Sequence, residues 1–578
     1  MSTTRGHLAP VAAAAFAPDG RSFASGGYDH ALLIWCSDSG RVLQRLEGHT
    51  GLINGLDWSP DGTCLASASS DHGARVWDAR SGRELAKLTG HQDDVNSVRW
   101  SPSGERLATA SFDGSVRVWT RGGACLLVAA HHGNDVNDVA WTPDGQRLVA
   151  ASDDGTVSVF DAEGGRLRHI LRGHGDWVSQ VAVDPRGRWL ASASEDRTAR
   201  VWDLERGTCE ATLDDSSCVV KAVAWSPDGS SLAVASYDGC IRVYDAGRFE
   251  LRREYRAEGL WNRRLDFSER GLLTGSFGGG PVLLGERGTR RYGAATTGGL
   301  NGFAVAPDGR SAVACSDDGR LYEIDLAQRS VARVLGTHAA AVLCAAFSPD
   351  GRQVASGSWD RGVRVWDCAT GACIALWDGL GDPVNSVCFD PAGDRVWIGT
   401  FNGDVACWDF RRATTRVLGV HTGSVKQLAC AGEHTFSAGR DGRVRCWPEG
   451  RGFATGGSIV NGIAPARRST RIATVSRRGG LELWSPSGTP LGAFRGHACS
   501  AKAVAWSPDE SVLVAGYYDG ALARWSPESG EARVDHVSDA SISQVGFAGD
   551  TLLVSTWNTQ RPFLLLGAGE PAALELAA

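Results

Sequence analysis

The sequence predicts an all-β fold made of about fourteen copies of one four-stranded antiparallel unit, and three observations predict it. Aromatic residues recur at Trp35, Trp77, Trp119, Phe160, Trp202 and Tyr244, 41 or 42 residues apart, and return at Trp366, Trp408, Trp447, Trp484 and Trp525. The chain carries 74 glycines in 578 residues, the supply that a turn-dense protein needs. Between successive aromatics the same order of apolar runs and turn residues comes back, which is the mark of a repeat architecture.

The stretch Gly90–Trp119 shows the unit most clearly. A Gly-His start leads into an apolar run with Val95, Val98 and Trp100, which reads as a strand. Ser101, Pro102 and Gly104 then supply a turn. A strand of small residues follows over Leu107–Ser111, then an Asp113-Gly114 turn, then a β-branched strand closing on Trp119. The spacer to the next unit supplies a fourth strand. One such sheet has no core and is marginal alone; stacking on its neighbours gives it one. The second strands read LASAS, LATAS, LASAS and VASGS, and small residues there let adjacent sheets approach closely. Burial on both faces also explains why apolar and polar residues do not alternate cleanly.

Along the chain the first six units are regular. The seventh, over 260–285, keeps a Gly-Ser-Phe-Gly turn but has no closing aromatic. The eighth recovers the pattern weakly over 300–325, and a worn last unit covers 541–566. Gly-His starts pair with Trp-Asp ends at Gly48-His49 with Trp77-Asp78 and at Gly173-His174 with Trp202-Asp203; Gly90-His91 with Trp119, Trp366-Asp367 and Trp408-Asp409 add to them. By these motifs the chain resembles the WD40 repeat family, over nearly all of its length. The resemblance implies that each unit is a propeller blade and, since propellers typically hold four to eight blades, two tandem seven-bladed WD40 β-propellers. The blurred seventh unit and the link Tyr292–Gly299 put the junction near residue 295, giving domains 1–294 and 295–578. Blades are expected to use consecutive strands, with the apolar tail Pro571–Ala578 available as the last outer strand.

Six units carry His, Ser or Thr, Asp and Trp at matching offsets: His7, Ser25, Asp29, Trp35; His49, Ser67, Asp71, Trp77; His91, Thr109, Asp113, Trp119; His174, Ser192, Asp196, Trp202; His338, Ser356, Asp360, Trp366; and His421, Ser437, Asp441, Trp447. A Ser-His-Asp set suggests a hydrolase. A catalytic site, however, needs one nucleophile in one cleft rather than one per blade. The resemblance implies a structural tetrad in which Ser or Thr bridges the indole N–H and the His, and Asp accepts from the His and the turn. Unit 4 keeps His132 and Asp154 with Ala150 and Phe160; unit 13 keeps His497, Asp519 and Trp525 with Ala515. No phosphate-loop, H-E-x-x-H or EF-hand pattern occurs, so no catalytic residue, metal or cofactor is expected.

Function is then sought where the units differ. The residue before the tetrad Asp reads Tyr28, Ser70, Phe112, Asp153, Glu195, Tyr237 and Phe277, then Asp317, Trp359, Phe401, Arg440, Arg477, Tyr518 and Trp557. Eight of these fourteen are aromatic, against 8% of the chain, so they either roof the blade junctions or present an interface. Four before the aromatic that ends each first strand stand Ala12, Asn54, Asn96, Asn137, Ser179, Lys221 and Arg263, then Asn301, Leu343, Asn385, Lys426, Asn461, Lys502 and Ser543, expected at the channel mouth. Asp93, Asp94, Asp135 and Asp176 lie beside the first ring's Gly-His loops, whereas the second ring offers Lys426, Arg440, Arg477, Arg478 and Lys502. The second ring is expected to take an acidic or phosphorylated segment and the first a basic or apolar one.

Composition bounds the rest. A net charge of −7 argues against a generic nucleic-acid binder, and no apolar run is long enough to span a bilayer. The start MSTTRGHLAP has no charged-then-apolar leader pattern, so a cytoplasmic protein is expected. Fifteen cysteines without a C-x-x-C pair read as small buried hydrophobes, among them Cys64, Cys240, Cys315, Cys407 and Cys446. The expected function is a non-catalytic scaffold or adaptor that binds other proteins, as part of a larger complex. The alternatives are a ligand-binding or enzymatic propeller using the axial channel, and nucleic-acid binding by the more basic second ring.

Overall fold

A computed structural model describes residues 6, 7, 9–256, 262–268, 271–276, 281–285, 288–292, 299–379, 381–455, 459–466, 468–477, 480–497, 499–538, 540–557, 562–566 and 572–574. Among them are fourteen four-stranded antiparallel sheets and no helix. Each sheet uses four consecutive strands, joined edge to edge in chain order. Blades 1–7 cover 11–46, 53–89, 95–129, 136–172, 178–213, 220–256 and 262–291; blades 8–14 cover 300–337, 342–377, 384–420, 425–454, 460–494, 501–536 and 542–574. The chain divides into two compact units, Met1–Ala295 and Thr296–Ala578. Residues 293–298 of the expected link lie outside the described residues.

In the first unit the inner strands touch in cyclic order from Val11–Phe16 through Ile53–Trp58 and onward to Asn262–Ser268, which touches Val11–Phe16 again. The second unit closes likewise, from Leu300–Val305 round to Ile542–Ala548. Each is therefore a seven-bladed propeller. Closure exchanges no strand among the described residues: the last outer strand, Ala572–Leu574, pairs with its own blade's Phe563–Leu566. Side chains carry the seam instead. In the first ring the Phe16 amide donates to Asp266 at 2.7 Å, and Tyr292 packs edge-on to Phe23 at 4.7 Å while its hydroxyl donates to the Ser37 carbonyl. In the second, the Phe303 amide donates to Gln544 at 2.8 Å and Phe303 meets Phe563 edge-on.

The core lies between blades, not within one. Ala66, Ala68, Ala108 and Ala110 on second strands are fully buried, and each cluster takes its members from two neighbouring sheets. Close approach decides two glycines: a Cβ on Gly399 would sit 2.6 Å from Val425 of the next blade, and one on Gly516 would sit 2.4 Å from Ile542. The repeated Ser-Pro-Asp-Gly turn is also local chemistry. In blade 2 the Gly62 amide donates to the Ser59 carbonyl at 2.8 Å with Gly62 at a φ of 69°, and Asp61 accepts from the Thr63 amide.

Candidate functional site

Each tetrad is one chain of hydrogen bonds across a blade. In blade 2 the Trp77 indole N–H donates to Ser67 Oγ at 2.8 Å, Ser67 Oγ lies 2.8 Å from His49 Nε2, and His49 Nδ1 lies 2.7 Å from Asp71. A neutral imidazole protonated at Nδ1 satisfies all four groups: indole to hydroxyl, hydroxyl to Nε2, Nδ1–H to carboxylate. The same chain recurs as Trp35-Ser25-His7-Asp29, Trp119-Thr109-His91-Asp113, Trp202-Ser192-His174-Asp196, Trp366-Ser356-His338-Asp360 and Trp447-Ser437-His421-Asp441. The hydroxyl is held between an indole and an imidazole in the blade interior, so it has no room to meet a substrate.

Burial pushes His49, His91, His338 and His421 below the usual histidine range, although their Asp partners pull the other way. Burial also works against the carboxylates, but the hydrogen bond and charge of the imidazole outweigh it and hold Asp154, Asp360 and Asp441 at about 2. Other buried carboxyls run opposite. Burial raises Asp57 to about 6 and Asp317 to about 7. Depressed histidines make stability rise with pH up to their unfolded value of about 6.5; raised carboxyls make it fall between about pH 4 and 7. These act in opposite directions, whereas below about pH 4 the depressed tetrad carboxylates act together. Thermal unfolding by circular dichroism should therefore show its steep drop from about pH 4 to 2. A steep loss already complete at pH 5 would contradict this assignment.

Worn blades rebuild the chain with other residues. In blade 4, where Ala150 removes the hydroxyl and Phe160 the indole, Ser158 moves in at 2.8 Å from His132 Nε2, and His131 packs on the Phe160 ring at 5.0 Å. In blade 6, where Ser216 stands at the histidine's offset, Arg242 donates to Asp238 at 2.9 Å, and Tyr244 donates to Asp215. In blade 8 Tyr322 donates to Asp318 at 2.6 Å, and in blade 12 Trp484 donates to Thr474 at 2.9 Å. Blade 13 keeps His497 on Asp519 at 2.7 Å, with the His497 ring against Tyr517. Sequence reasoning missed Ser158 because it sits two residues before the closing aromatic, an offset where most other blades with such an aromatic carry Arg and none of them carries a hydroxyl.

The offset expected at the channel mouth holds the rings together. Asn54, Asn96, Asn137, Asn301, Asn385 and Asn461 each donate a side-chain N–H to a carbonyl on the inner strand of the next blade, at 2.7–3.2 Å. An amide is suited to this tie because it carries a donor without a charge to bury. The recurrence of Asn was the available signal. Lys221 pairs with Glu195, and burial pulls Lys502 below the usual lysine range, so neither stands open at the mouth as expected. The Arg263 side chain lies outside the described residues.

A second feature went unread in the sequence. Charged residues sit inside the apolar inner strands of the first ring. Asp138, fully buried, accepts from Arg264 at 2.8 Å, from Ser97 and from the Val181 amide, with Arg99 at 3.7 Å. Asp57 accepts from the Trp100 amide at 2.6 Å, and Arg99 donates to the Leu56 carbonyl. These groups tie together blades 2, 3, 4, 5 and 7.

The residues before the tetrad Asp are not an exposed aromatic belt. Tyr28, Phe112, Tyr237 and Trp557 are buried, and Phe277 lies outside the described residues. Asp94 and Asp135 are buried as well, and their carbonyls accept from the Phe112 and Asp153 amides. The physical reason is that backbone hydrogen bonds tie each of these turns to its own blade's entry loop, the Tyr28, Phe112, Tyr237 and Trp557 amides donating to the Pro10, Asp94, Val219 and Ser541 carbonyls, which draws the rings in. Blades 9 to 11 differ in degree. Trp359 and Phe401, both half-buried, pack at 5.3 Å, and Lys426 of blade 11 lies 5.8 Å from the Phe401 ring centre. Arg440 and Arg477 are half-buried; Arg478 lies outside the described residues. Tyr518 packs on Trp557 at 5.9 Å. Beside blade 11 a cavity of about 550 Å³ is lined by Thr422, Asp441, Arg443 and Arg445.

Comparison with known proteins agrees with this geometry. The family described as "WD domain, G-beta repeat" (WD40) matches residues 1–36, 40–78, 82–120, 123–161, 165–203, 207–245, 329–367 and 488–526, more than half of the chain. The chain is similar to the Notchless protein homolog of Arabidopsis thaliana, with 58% identity over 38 residues, covering 7% of this chain and 8% of that protein. It is also similar to the serine-threonine kinase receptor-associated proteins of Bos taurus and Homo sapiens, with 32% identity over 78 residues, covering 14% of this chain and 22% of each relative. The chain thus matches less than a quarter of the length of these relatives.

Proposed function

The chain belongs to the WD40 repeat family, and on that premise we propose that it is a non-catalytic protein-interaction scaffold whose second ring, residues 295–578, takes an acidic segment of a partner on the rim of blades 9 to 11. The observation that carries this reading is the run Trp359, Phe401, Lys426, in which ring packs on ring and the Lys426 ammonium lies over the Phe401 ring at 5.8 Å, with Arg440 on the same turn as blade 11's tetrad. Aromatic and cationic groups side by side suit anionic peptide recognition, because the rings give contact area and the cations give orientation. The consumption of every tetrad hydroxyl and imidazole inside a blade supports binding over hydrolysis. Similarity to proteins named as receptor-associated agrees with a protein-binding role.

Affinity capture from the native cell with quantitative mass spectrometry tests the reading. Wild-type chain should retain one stoichiometric protein partner, and the Lys426→Glu/Arg440→Glu variant should weaken that complex by about tenfold or more, about 1.4 kcal/mol. A complex of unchanged affinity would move the interface off this rim. A co-purifying metabolite in place of a protein would favour the ligand-binding alternative.

A further inference from the structure

Blade 11 departs from its sister blades at the end opposite its tetrad. In a four-stranded antiparallel blade the turn between the first and second strands and the turn between the third and fourth lie at one end, and the tetrad loops at the other. At that first end His434 opens the strand His434–Gly439, Cys446 lies near the close of Arg443–Trp447, and Glu449 sits in the turn before Arg451–Ala454. One ligand atom from each of the three comes within 4.8 Å of those of the others, with His434 Nδ1 4.0 Å from Glu449.

At these places the identities vary between blades, and blade 10 carries a cysteine, Cys407, at the Cys446 offset. Counting from the closing aromatic, Cys446 occupies the offset held by Val76, Val118, Val201 and Val365, and His434 that held by Arg106, Arg147 and Arg395. No other unit with a closing aromatic carries imidazole, thiol and carboxylate at all three offsets. It is the combination of the three donors at one end, not the cysteine alone, that sets blade 11 apart.

We propose that His434, Cys446 and Glu449 form a surface zinc site, with water completing a tetrahedron. The donor set of one nitrogen, one sulfur and one oxygen is the mixture that borderline Zn²⁺ accepts. Bonds of about 2.0–2.3 Å put tetrahedral donors roughly 3.3–3.7 Å apart, so closing the site takes a contraction of about 1 Å by side chains. His434 and Glu449 are exposed and Cys446 half-buried, so the two that must move are the two with room to do so.

The test uses the full chain, stripped with EDTA, and Co²⁺ and Zn²⁺ as probes. One equivalent of Co²⁺ should give thiolate-to-cobalt charge-transfer absorption that Zn²⁺ abolishes on displacing it, and Zn²⁺ should raise the melting temperature. Cys446→Val should remove the absorption, and His434→Arg should weaken zinc binding by about 100-fold or more. Both variants place a residue that sister blades already carry, and their metal-free melting temperatures check the fold. Cys373→Ser, which removes an exposed thiol of the same ring, should change nothing. Absence of the charge-transfer band, its survival in Cys446→Val, or its loss in Cys373→Ser would each overturn the proposal.

Discussion

Asp138→Ala should destabilise the first ring by about 3–5 kcal/mol, because it removes one partner of a buried charge cluster and leaves the others in place. The carboxylate is fully buried and holds Arg264 of blade 7, Ser97 and Arg99 of blade 3 and the Val181 amide of blade 5. Burial alone would raise its proton affinity; the two guanidinium groups outweigh that and keep it ionised. Without it, Arg264 and Arg99 keep their charges inside the ring. Asp57 and Asp266 remain, but burial raises both and weakens them as counter-ions. Asp138→Asn keeps the volume and an acceptor while losing the charge, so it should cost less than the Ala change. Urea unfolding with peptide-resolved hydrogen exchange would read the effect, as faster exchange in blades 3, 4, 5 and 7 together. A loss below about 1 kcal/mol, or exchange altered in blade 4 alone, would show that the cluster does not tie the ring.

The second large effect is a coupling. Thr109→Ala in blade 3 strands both the Trp119 indole N–H and His91 Nε2, and each orphaned buried group costs about 1–3 kcal/mol. Blade 4 shows how a blade survives the same loss, with Ser158 supplying the hydroxyl two residues before its closing aromatic. The equivalent residue in blade 3 is Arg117. Thr109→Ala/Arg117→Ser should therefore be more stable than Thr109→Ala alone, recovering the imidazole's partner but not the indole's. A double-mutant cycle measured by denaturant unfolding isolates that term, expected at about 1 kcal/mol or more in favour of the pair. Strict additivity would mean that the hydroxyl introduced by Arg117→Ser does not reach His91 as Ser158 reaches His132.

The repeat was legible because it is written in local chemistry. Trp77, Asp71 and Gly62 each mark a turn or a strand end whose conformation is settled within a few residues, and forty-residue spacing then follows. The site was less legible. Tyr28, Phe112 and Tyr237 suggest exposed interface aromatics, but whether a ring at a turn faces solvent or the next blade depends on how closely two sheets approach. The Asn54 and Asn137 amides resemble solvated channel residues for the same reason: their acceptors stand 41 residues away, on another blade. Lys502 shows the same point, since a lysine expected at the channel mouth lies where burial lowers its proton affinity.

What the sequence by itself determined is the blade: four strands, their turns, the tetrad identities and the count of fourteen, all set by residues near one another in the chain. What only the tertiary structure decided is how blades are joined and which residues remain to act. Ring closure through Asp266, Tyr292 and Gln544, and the cluster around Asp138, bring together residues from distant blades. The convergence of His434, Cys446 and Glu449 is set within one blade, by the antiparallel register that brings its two turns to one end. The physical reason is that hydrogen-bond partners and burial belong to pairs of positions in space, and a one-dimensional pattern fixes those pairs only within a turn or a hairpin.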